Sequence, residues 1–251
     1  MEIIKNIFMY GCADTFITYN PDLPEAAHIA VRLICLLLSM VFAYLIGSIN
    51  FAIILSKLRG DDIRNHGSQN AGTTNMLRTY GKKAAIITLV GDFLKGTVSV
   101  LIGMLLMGII GQYLAALFAV LGHVFPIYYK FKGGKGIATA AGTILACEPI
   151  VLLILLIIFA LVVAVSKYVS LASVMVAMLY PVILDRYYKL MGAPSGLHVL
   201  FVIIMAVIVV WKHWPNIQRL MNKTESKISF KKKPEVETSD NTSDEEQGDN
   251  K

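Results

Sequence analysis

The sequence predicts an all-α integral membrane protein: a bundle of seven transmembrane helices with a short fourth helix, its N-terminus out and its C-terminus in. Three observations carry this. Hydrophobic residues fill 56% of the 251 positions and charged ones 16%, at a mean hydropathy of +0.63, well outside the range of a soluble domain. Apolar runs follow one another at 33–56, 84–110, 113–129, 137–147, 149–165, 169–184 and 197–211, and all but the fourth approach the ~20 residues that cross hydrocarbon. The basic residues, finally, collect on one side of these runs.

Taken in order, residues 1–28 are a weakly apolar stretch interrupted by Lys5, Asp14, Asp22 and Glu25, too broken for a signal peptide and read as an extension of unknown role. Residues 29–225 form the seven-span membrane domain. The second span carries Asp92 and Lys95 one turn apart, charges that pair with each other or with the bundle interior and fix helix packing. The third ends near His123 and Pro126. The fourth, opening Ile137-Ala-Thr-Ala-Ala-Gly142, is rich in small residues that permit close packing, and too short to span alone. Glu148 and Pro149 then turn the chain, making a hairpin of 137–165. The sixth span begins with Ser170 and Ser173, either a helix cap or a contribution to a site. Residues 226–251 are a disordered cytoplasmic tail, acid-rich from Glu235 to Asp249.

With the hairpin, one face holds Lys57, Arg59, Arg64, Arg78, Lys82, Lys83, Lys130, Lys132, Lys135, Lys167, Lys212, Arg219, Lys223, Lys227 and Lys231 to Lys233; the other holds Lys5, Arg32, Arg186 and Lys189. A single crossing over 137–165 would move Lys212 to Lys233 outside and nearly remove this bias, so the hairpin is expected, with the basic face cytoplasmic. The same sidedness gathers 59–83, 130–136, 166–170 and 212–225 at one surface, where a single site draws on all four. Anionic lipid is the natural partner of the basic surplus, and nucleic acid is excluded for want of a soluble module. Cys12, Cys35 and Cys147 have no metal-ligand or disulfide spacing; no metal or cofactor is expected.

Two polar segments stand out. Lys132-Gly133-Gly134-Lys135-Gly136 has the composition of an anion nest at a helix N-terminus, suited to a phosphate or acyl phosphate. It is no Walker loop, because Tyr129 stands where the first glycine belongs and Ile137 where Ser or Thr would hold magnesium. A basic turn between spans accounts for the same residues. In 67–78, GSQNAGTTNMLR, Gly67, Ser68, Asn70, Thr74 and Asn75 precede Arg78; hydroxyls, amides and a guanidinium suit a polyol phosphate, with Arg78 gripping its oxygens bidentately. A solvated loop with a helix cap is the plainer reading. His213 and Asn216, three apart after the last span, share a helical face. His213 suits a base or a hydrogen-bond partner of a substrate hydroxyl, and equally a membrane-boundary residue.

Together GSINFA (47–52), DDIRNHGSQNAGTTNMLR (61–78), GKKAA with GDFLKG (81–96), GHVFPIYYKFKGGKGIATA (122–140), YVSLAS (168–173) and HWPNIQRLMNKTE (213–225) resemble the bacterial acyl-phosphate:glycerol-3-phosphate acyltransferase family over residues 34–225. The resemblance implies a multi-pass enzyme of the bacterial inner (cytoplasmic) membrane with its active site on the cytoplasmic face. It implies transfer of a fatty acyl group from acyl phosphate to the sn-1 hydroxyl of glycerol 3-phosphate, the first acylation of phospholipid biosynthesis, with no cofactor and no obligatory protein partner. Residue by residue it implies catalytic roles for Ser68, Arg78, Lys135, His213 and Asn216. Substrate contacts fall to Gly67, Asn70, Thr74, Asn75, Gly133, Gly134, Gly136 and Ser173, and a structural role to Glu225. Gln69 stands in a Gly-Ser-Gly-Asn motif where the family has glycine, and Lys223 replaces a common glycine before Thr224-Glu225.

An acyl phosphate is a mixed anhydride with a good leaving group, so direct attack by the glycerol hydroxyl requires positioning, charge stabilisation and a proton acceptor rather than an enzyme nucleophile. Accordingly there is no nucleophile elbow and no His with Asp five positions on. The competing class is a transporter or scramblase for an anionic, phosphorylated solute using the short helix as a broken span. Against it, no inverted repeat is visible and the polar residues lie at one face.

Overall fold

The computed structural model describes residues 2–192 and 196–228. They are helical, and no strand occurs among them: α1 (Glu2–Tyr19), α2 (Glu25–Gly47), α3 (Phe51–Lys57), α4 (Thr73–Val124), α5 (Ile137–Cys147), α6 (Pro149–Ser166), α7 (Val169–Leu190), α8 (Leu197–Lys212) and α9 (Trp214–Met221), with the two long connections 58–72 and 125–136 carrying the polar segments. Of the predicted tail, residues 229–251 lie outside the described residues.

Four helical stretches among the described residues are long and apolar enough to cross a membrane: Glu25–Lys57, Thr73–Tyr129, Pro149–Ser166 and Val169–Leu190. A fifth follows if Leu197–Lys212 and Trp214–Met221, bent by 54°, are taken together. The Thr73–Tyr129 stretch is not one rod. Backbone angles leave the helical region at Gly81 (φ 81°), which sets off a short N-terminal piece, and again at Met107 (φ −140°) and Gly108 (φ 56°). A Cβ added to Gly103 would stand 2.3 Å from Gly111 O, a contact impossible along a straight helix, where eight residues span ~12 Å. The chain therefore reverses at Met107 and Gly108, and the two apolar runs read at 84–110 and 113–129 are the arms of one hairpin. The short helix expected at 137–147 is α5, ended by Glu148 (φ −143°, ψ 78°) with Pro149 opening α6.

Small residues set how closely these helices meet. A Cβ on Gly47 would lie 2.2 Å from Ala119 O and one on Gly122 2.3 Å from Tyr44 O, which locks α2 to the second arm of α4. Gly142 approaches Phe93 O so closely that a Cβ would sit at 1.8 Å, and Gly96 faces Thr139 O at 2.3 Å. These contacts seat α5 against the first arm of α4, as in small-residue packing within membranes. The main core joins α4, α5, α6, α7 and α8 through buried Tyr113, Val120, Ile144, Val151, Leu184, Val202 and Val209. Beneath its far end, Glu148 accepts hydrogen bonds from Tyr113 at 2.7 Å and Tyr188 at 2.5 Å, so the turn between α5 and α6 is tied to α4 and α7.

The N-terminal extension contributes α1, which meets the α4 turn where Gly11 lies against Gly108 N and reaches α2 through the Asp14–Arg32 ion pair at 2.9 Å. Because α2 begins at Glu25, the domain boundary drawn at residue 28 falls inside that helix.

Candidate active site

A cavity of about 770 Å³ opens where α4, α5, α7, α8 and α9 converge. One end is polar. Ser68, Asn70, Thr74, Arg78, Lys135, Ser173, His213 and Asn216 line it together with the N-cap and first residue of α4 (Gly72, Thr73) and of α5 (Gly136, Ile137). Two helix N-termini thus add partial positive charge beside two cations. The other end is an apolar arm between α4, α5, α6 and α7, with Phe93, Ile144, Leu152, Leu155, Phe159 and Tyr180 among its lining.

The loop carrying Ser68 is held by Asn75. Its Oδ1 accepts from Ser68 N at 3.0 Å, and its Nδ2 donates to Ile63 O at 3.2 Å and His66 O at 2.9 Å. Asn75, predicted as a substrate contact, borders the cavity while its amide is engaged in the loop. Gly67 (φ +55°) makes room for it, since a Cβ there would stand 2.4 Å from Asn75 Oδ1. Gln69 takes the left-handed conformation (φ 58°) that a glycine adopts without strain, and Lys223 does the same at φ 57°. Both departures from the family pattern therefore fall where the backbone favours glycine.

The GGKG segment is less open than an anion nest. Gly133 N donates to Val124 O at 3.3 Å and Gly134 N to His123 O at 3.1 Å, so neither N–H is free for a phosphate in this structure. Their missing side chains serve packing, because a Cβ on Gly134 would lie 2.2 Å from His123 Nε2 and one on Gly133 2.0 Å from His123 O. Lys135 and Gly136 border the main cavity. Gly133 borders a second, polar cleft of about 450 Å³ with Arg64, Gln69, Lys130 and Lys132.

Lys135 is tied to α9. Its Nζ donates to Asn216 Oδ1, Asn216 Nδ2 donates to Glu225 Oε1 at 2.7 Å, and Glu225 Oε2 accepts from Arg219 Nε at 2.7 Å. Because Glu225 can only accept, it fixes the Asn216 amide with its oxygen toward Lys135. Burial lowers the Lys135 pKa to about 8, with Arg219 and Arg78 adding to the effect and Glu225 opposing it. Burial would raise the Glu225 pKa, but the hydrogen bonds from Asn216 and Arg219 bring it below its ordinary value. His213 Nδ1 lies 2.8 Å from Val209 O; a carbonyl only accepts, so Nδ1 carries the proton and Nε2 keeps its lone pair. Burial, then the charge of Lys135, lower the His213 pKa to about 4, leaving a neutral imidazole at pH 7.

Three neighbours of this site are not among the site residues expected from the sequence, which assigned Asp92 only to a structural pair with Lys95. Thr73 Oγ1 is buried without a partner on the cavity lining; its only signal was its place in the 67–78 motif. Asp92 and His123 also border the cavity. Lys95 Nζ lies 2.8 Å from Asp92 Oδ1, donates to Ile49 O at 2.5 Å and meets His123 Nδ1 at 2.9 Å. The expected Asp92–Lys95 pair thus joins both arms of α4 to the α2–α3 junction. No sequence spacing announces His123 as its third member.

The sequence model of the glycerol-3-phosphate acyltransferase family matches residues 37–223. A glycerol-3-phosphate acyltransferase of Dechloromonas aromatica is 47% identical over 201 residues, covering 78% of this chain and 98% of the relative. This chain belongs to the glycerol-3-phosphate acyltransferase family. Further members that it matches include those of Coxiella burnetii, 41% identical over 197 residues (77% of this chain, 98% of the relative), and Geobacillus kaustophilus, 42% identical over 194 residues (77% and 96%). The fold is similar to the crystal structure of PlsY, an integral membrane glycerol 3-phosphate acyltransferase, in its glycerol 3-phosphate form. The TM-score is 0.71 and the identity 35%, with 77% of this chain and 96% of that chain covered. Against the lysophosphatidic acid form the TM-score is 0.69 and the identity 34%, with coverage of 78% and 96%. The helices described above are thus those of a multi-pass membrane acyltransferase.

Proposed function

We propose that this family member transfers a fatty acyl group from an acyl phosphate to the sn-1 hydroxyl of glycerol 3-phosphate, yielding 1-acyl-glycerol 3-phosphate and phosphate. The observation that carries the reading is the two-ended cavity, in which cations, helix N-termini and hydroxyls border the mouth of an apolar arm. An acyl phosphate has that division of chemistry: an anionic head on a hydrocarbon chain.

In this reading Arg78 holds the phosphate of glycerol 3-phosphate and Lys135 that of the acyl phosphate, with Ser68, Thr73, Thr74 and Ser173 offering hydroxyls to the glycerol. The glycerol oxygen attacks the acyl carbonyl carbon, the bond from that carbon to the phosphate oxygen breaks, and phosphate leaves with the electron pair. The hydroxyl proton passes to His213 Nε2 or to the leaving phosphate, and Lys135 offsets the charge that develops. Direct transfer is favoured because the Ser173 hydroxyl donates to Val169 O at 2.8 Å rather than to a base, and because, among the described residues, no cysteine lines the cavity.

The topology belongs to the same proposal. Seven crossings correspond to α2 with α3, the two arms of α4, α5, α6, α7 and α8, with the N-terminus out and the polar end of the cavity at the cytoplasmic face of a bacterial inner membrane. The one-sided basic residues support it.

Purified protein in detergent, given palmitoyl phosphate and glycerol 3-phosphate without metal or nucleotide, should release lysophosphatidate and phosphate in equal amounts, and Arg78→Ala or Lys135→Ala should abolish both. No product from folded protein with any acyl donor would leave an anion transporter as the better reading. A positioned base contributes ~10²- to 10⁴-fold, so His213→Ala retaining more than about a tenth of the activity would assign the proton to the substrate phosphate.

A further inference from the structure

Beyond α9 the chain turns back toward the cavity. Thr224 N and Glu225 N both donate to Arg219 O, at 2.8 and 3.2 Å, and residues 226–228 then run across the cavity's polar mouth. Three contacts hold them. Ser226 O accepts from Arg78 Nη2 at 3.2 Å, Lys227 Nζ stands 5.7 Å from the centre of the Tyr168 ring, and Ile228 N donates to Lys167 O at 2.9 Å. Ser226 and Ile228 are themselves part of the cavity lining. The segment lies past residue 223, where the family match ends, and the sequence had grouped it with the tail.

Arg78 therefore has two claimants. In this structure its guanidinium donates to a neutral backbone carbonyl, whereas the proposed substrate presents an anionic phosphate, which adds a full opposite charge and a second, parallel N–H···O bond to what the carbonyl offers. We infer that residues 226–228 are a strap competing with glycerol 3-phosphate for Arg78, so that binding of the substrate phosphate releases Ser226 and opens the cavity mouth. This rests on the proposed use of Arg78 for that phosphate. The competition is thermodynamic: whatever stabilises the strapped state raises the substrate concentration needed to displace it. Ile228 serves the closed state twice, through its N–H bond to Lys167 O and through its apolar side chain on the cavity wall.

Two measurements on the full chain test this. First, hydrogen exchange in detergent is followed across 226–228 with saturating glycerol 3-phosphate and no acyl donor; the substrate should speed exchange of the Ile228 amide. Second, Ile228→Pro removes the strap's N–H donor. One net hydrogen bond corresponds to roughly a two- to tenfold change in an equilibrium, so the KM for glycerol 3-phosphate should fall by about that factor with kcat within about twofold of wild type. Lys227→Ala should shift KM the same way by less, and guards against a proline variant that misfolds. Exchange unchanged or slowed by substrate, or a KM that stays put or rises in both variants, would overturn the strap while wild-type turnover kept the acyltransferase reading intact. A wild-type protein that neither binds glycerol 3-phosphate nor turns it over would instead remove the acyltransferase reading, and the strap's role with it.

Discussion

Replacing Asp92 by Asn tests what the buried charges in α4 are for. The Lys95 and Asp92 side chains are 3% and 1% exposed and 2.8 Å apart, so the substitution leaves a buried ammonium without its counter-ion. Losing one member of such a pair costs ~3–5 kcal/mol. Here the lower end applies, because Lys95 keeps the Ile49 carbonyl at 2.5 Å and His123 Nδ1 at 2.9 Å; we expect ~3 kcal/mol, a fall in Tm of roughly 6–12 °C for a protein of this size. Lys95→Met in the same background removes the stranded charge and should restore part of the loss, giving a coupling of ~2 kcal/mol in the double-mutant cycle. Thermal unfolding in detergent of wild type, both single variants and the double variant supplies the cycle. Additivity within ~0.5 kcal/mol would show that the two charges do not depend on one another, and would refute the view that the pair locks the arms of α4.

Three further expectations follow from the site. Lys135, with its pKa lowered to about 8, is charged below that pH and loses its proton above it, so kcat/KM should decline as pH rises through about 8; a pH–rate profile level to pH 10 would contradict the role given to its charge. Glu225→Gln should lower kcat/KM ~10-fold by freeing the Asn216 amide, and should move the alkaline limb to lower pH, because Glu225 raises the Lys135 pKa; a drop in rate with the limb unmoved would mean that Glu225 acts on folding alone. Gln69→Gly and Lys223→Gly relieve left-handed backbone at φ 58° and 57°. After the entropy lost by glycine each should stabilise by about 0.5 kcal/mol, and a lower Tm in either variant would count against strain at those positions.

How far the site was legible depended on where each residue's partners lie in the chain. Arg78, Lys135, His213 and Asn216 could be named from motif and sidedness because each stands in a polar segment at the end of an apolar run, and all four line one cavity. Gly133 and Gly134 carry the composition of a phosphate nest, yet their N–H groups go to Val124 and His123 carbonyls; composition reports what a segment is able to bind, and the neighbouring helix decides what it does bind. Glu225 was assigned a structural part, and in the fold it orients Asn216 from nine residues away.

By itself the sequence determined the membrane class, the short helix at 137–147 and the polar segments that line one cavity. These follow from local quantities: the length of an apolar run, the spacing of small residues, the side on which charge falls. The tertiary structure alone decided that His123 completes the Asp92–Lys95 pair, that Asn75 is spent on its own loop, that the apolar arm extends to Tyr180 and Leu152, and that Ser226 occupies Arg78. Apart from the Asn75 bonds, whose partners lie within 12 residues, these bring together residues distant in the chain, set by how closely glycine-lined helices approach, and no periodicity along the sequence encodes that distance.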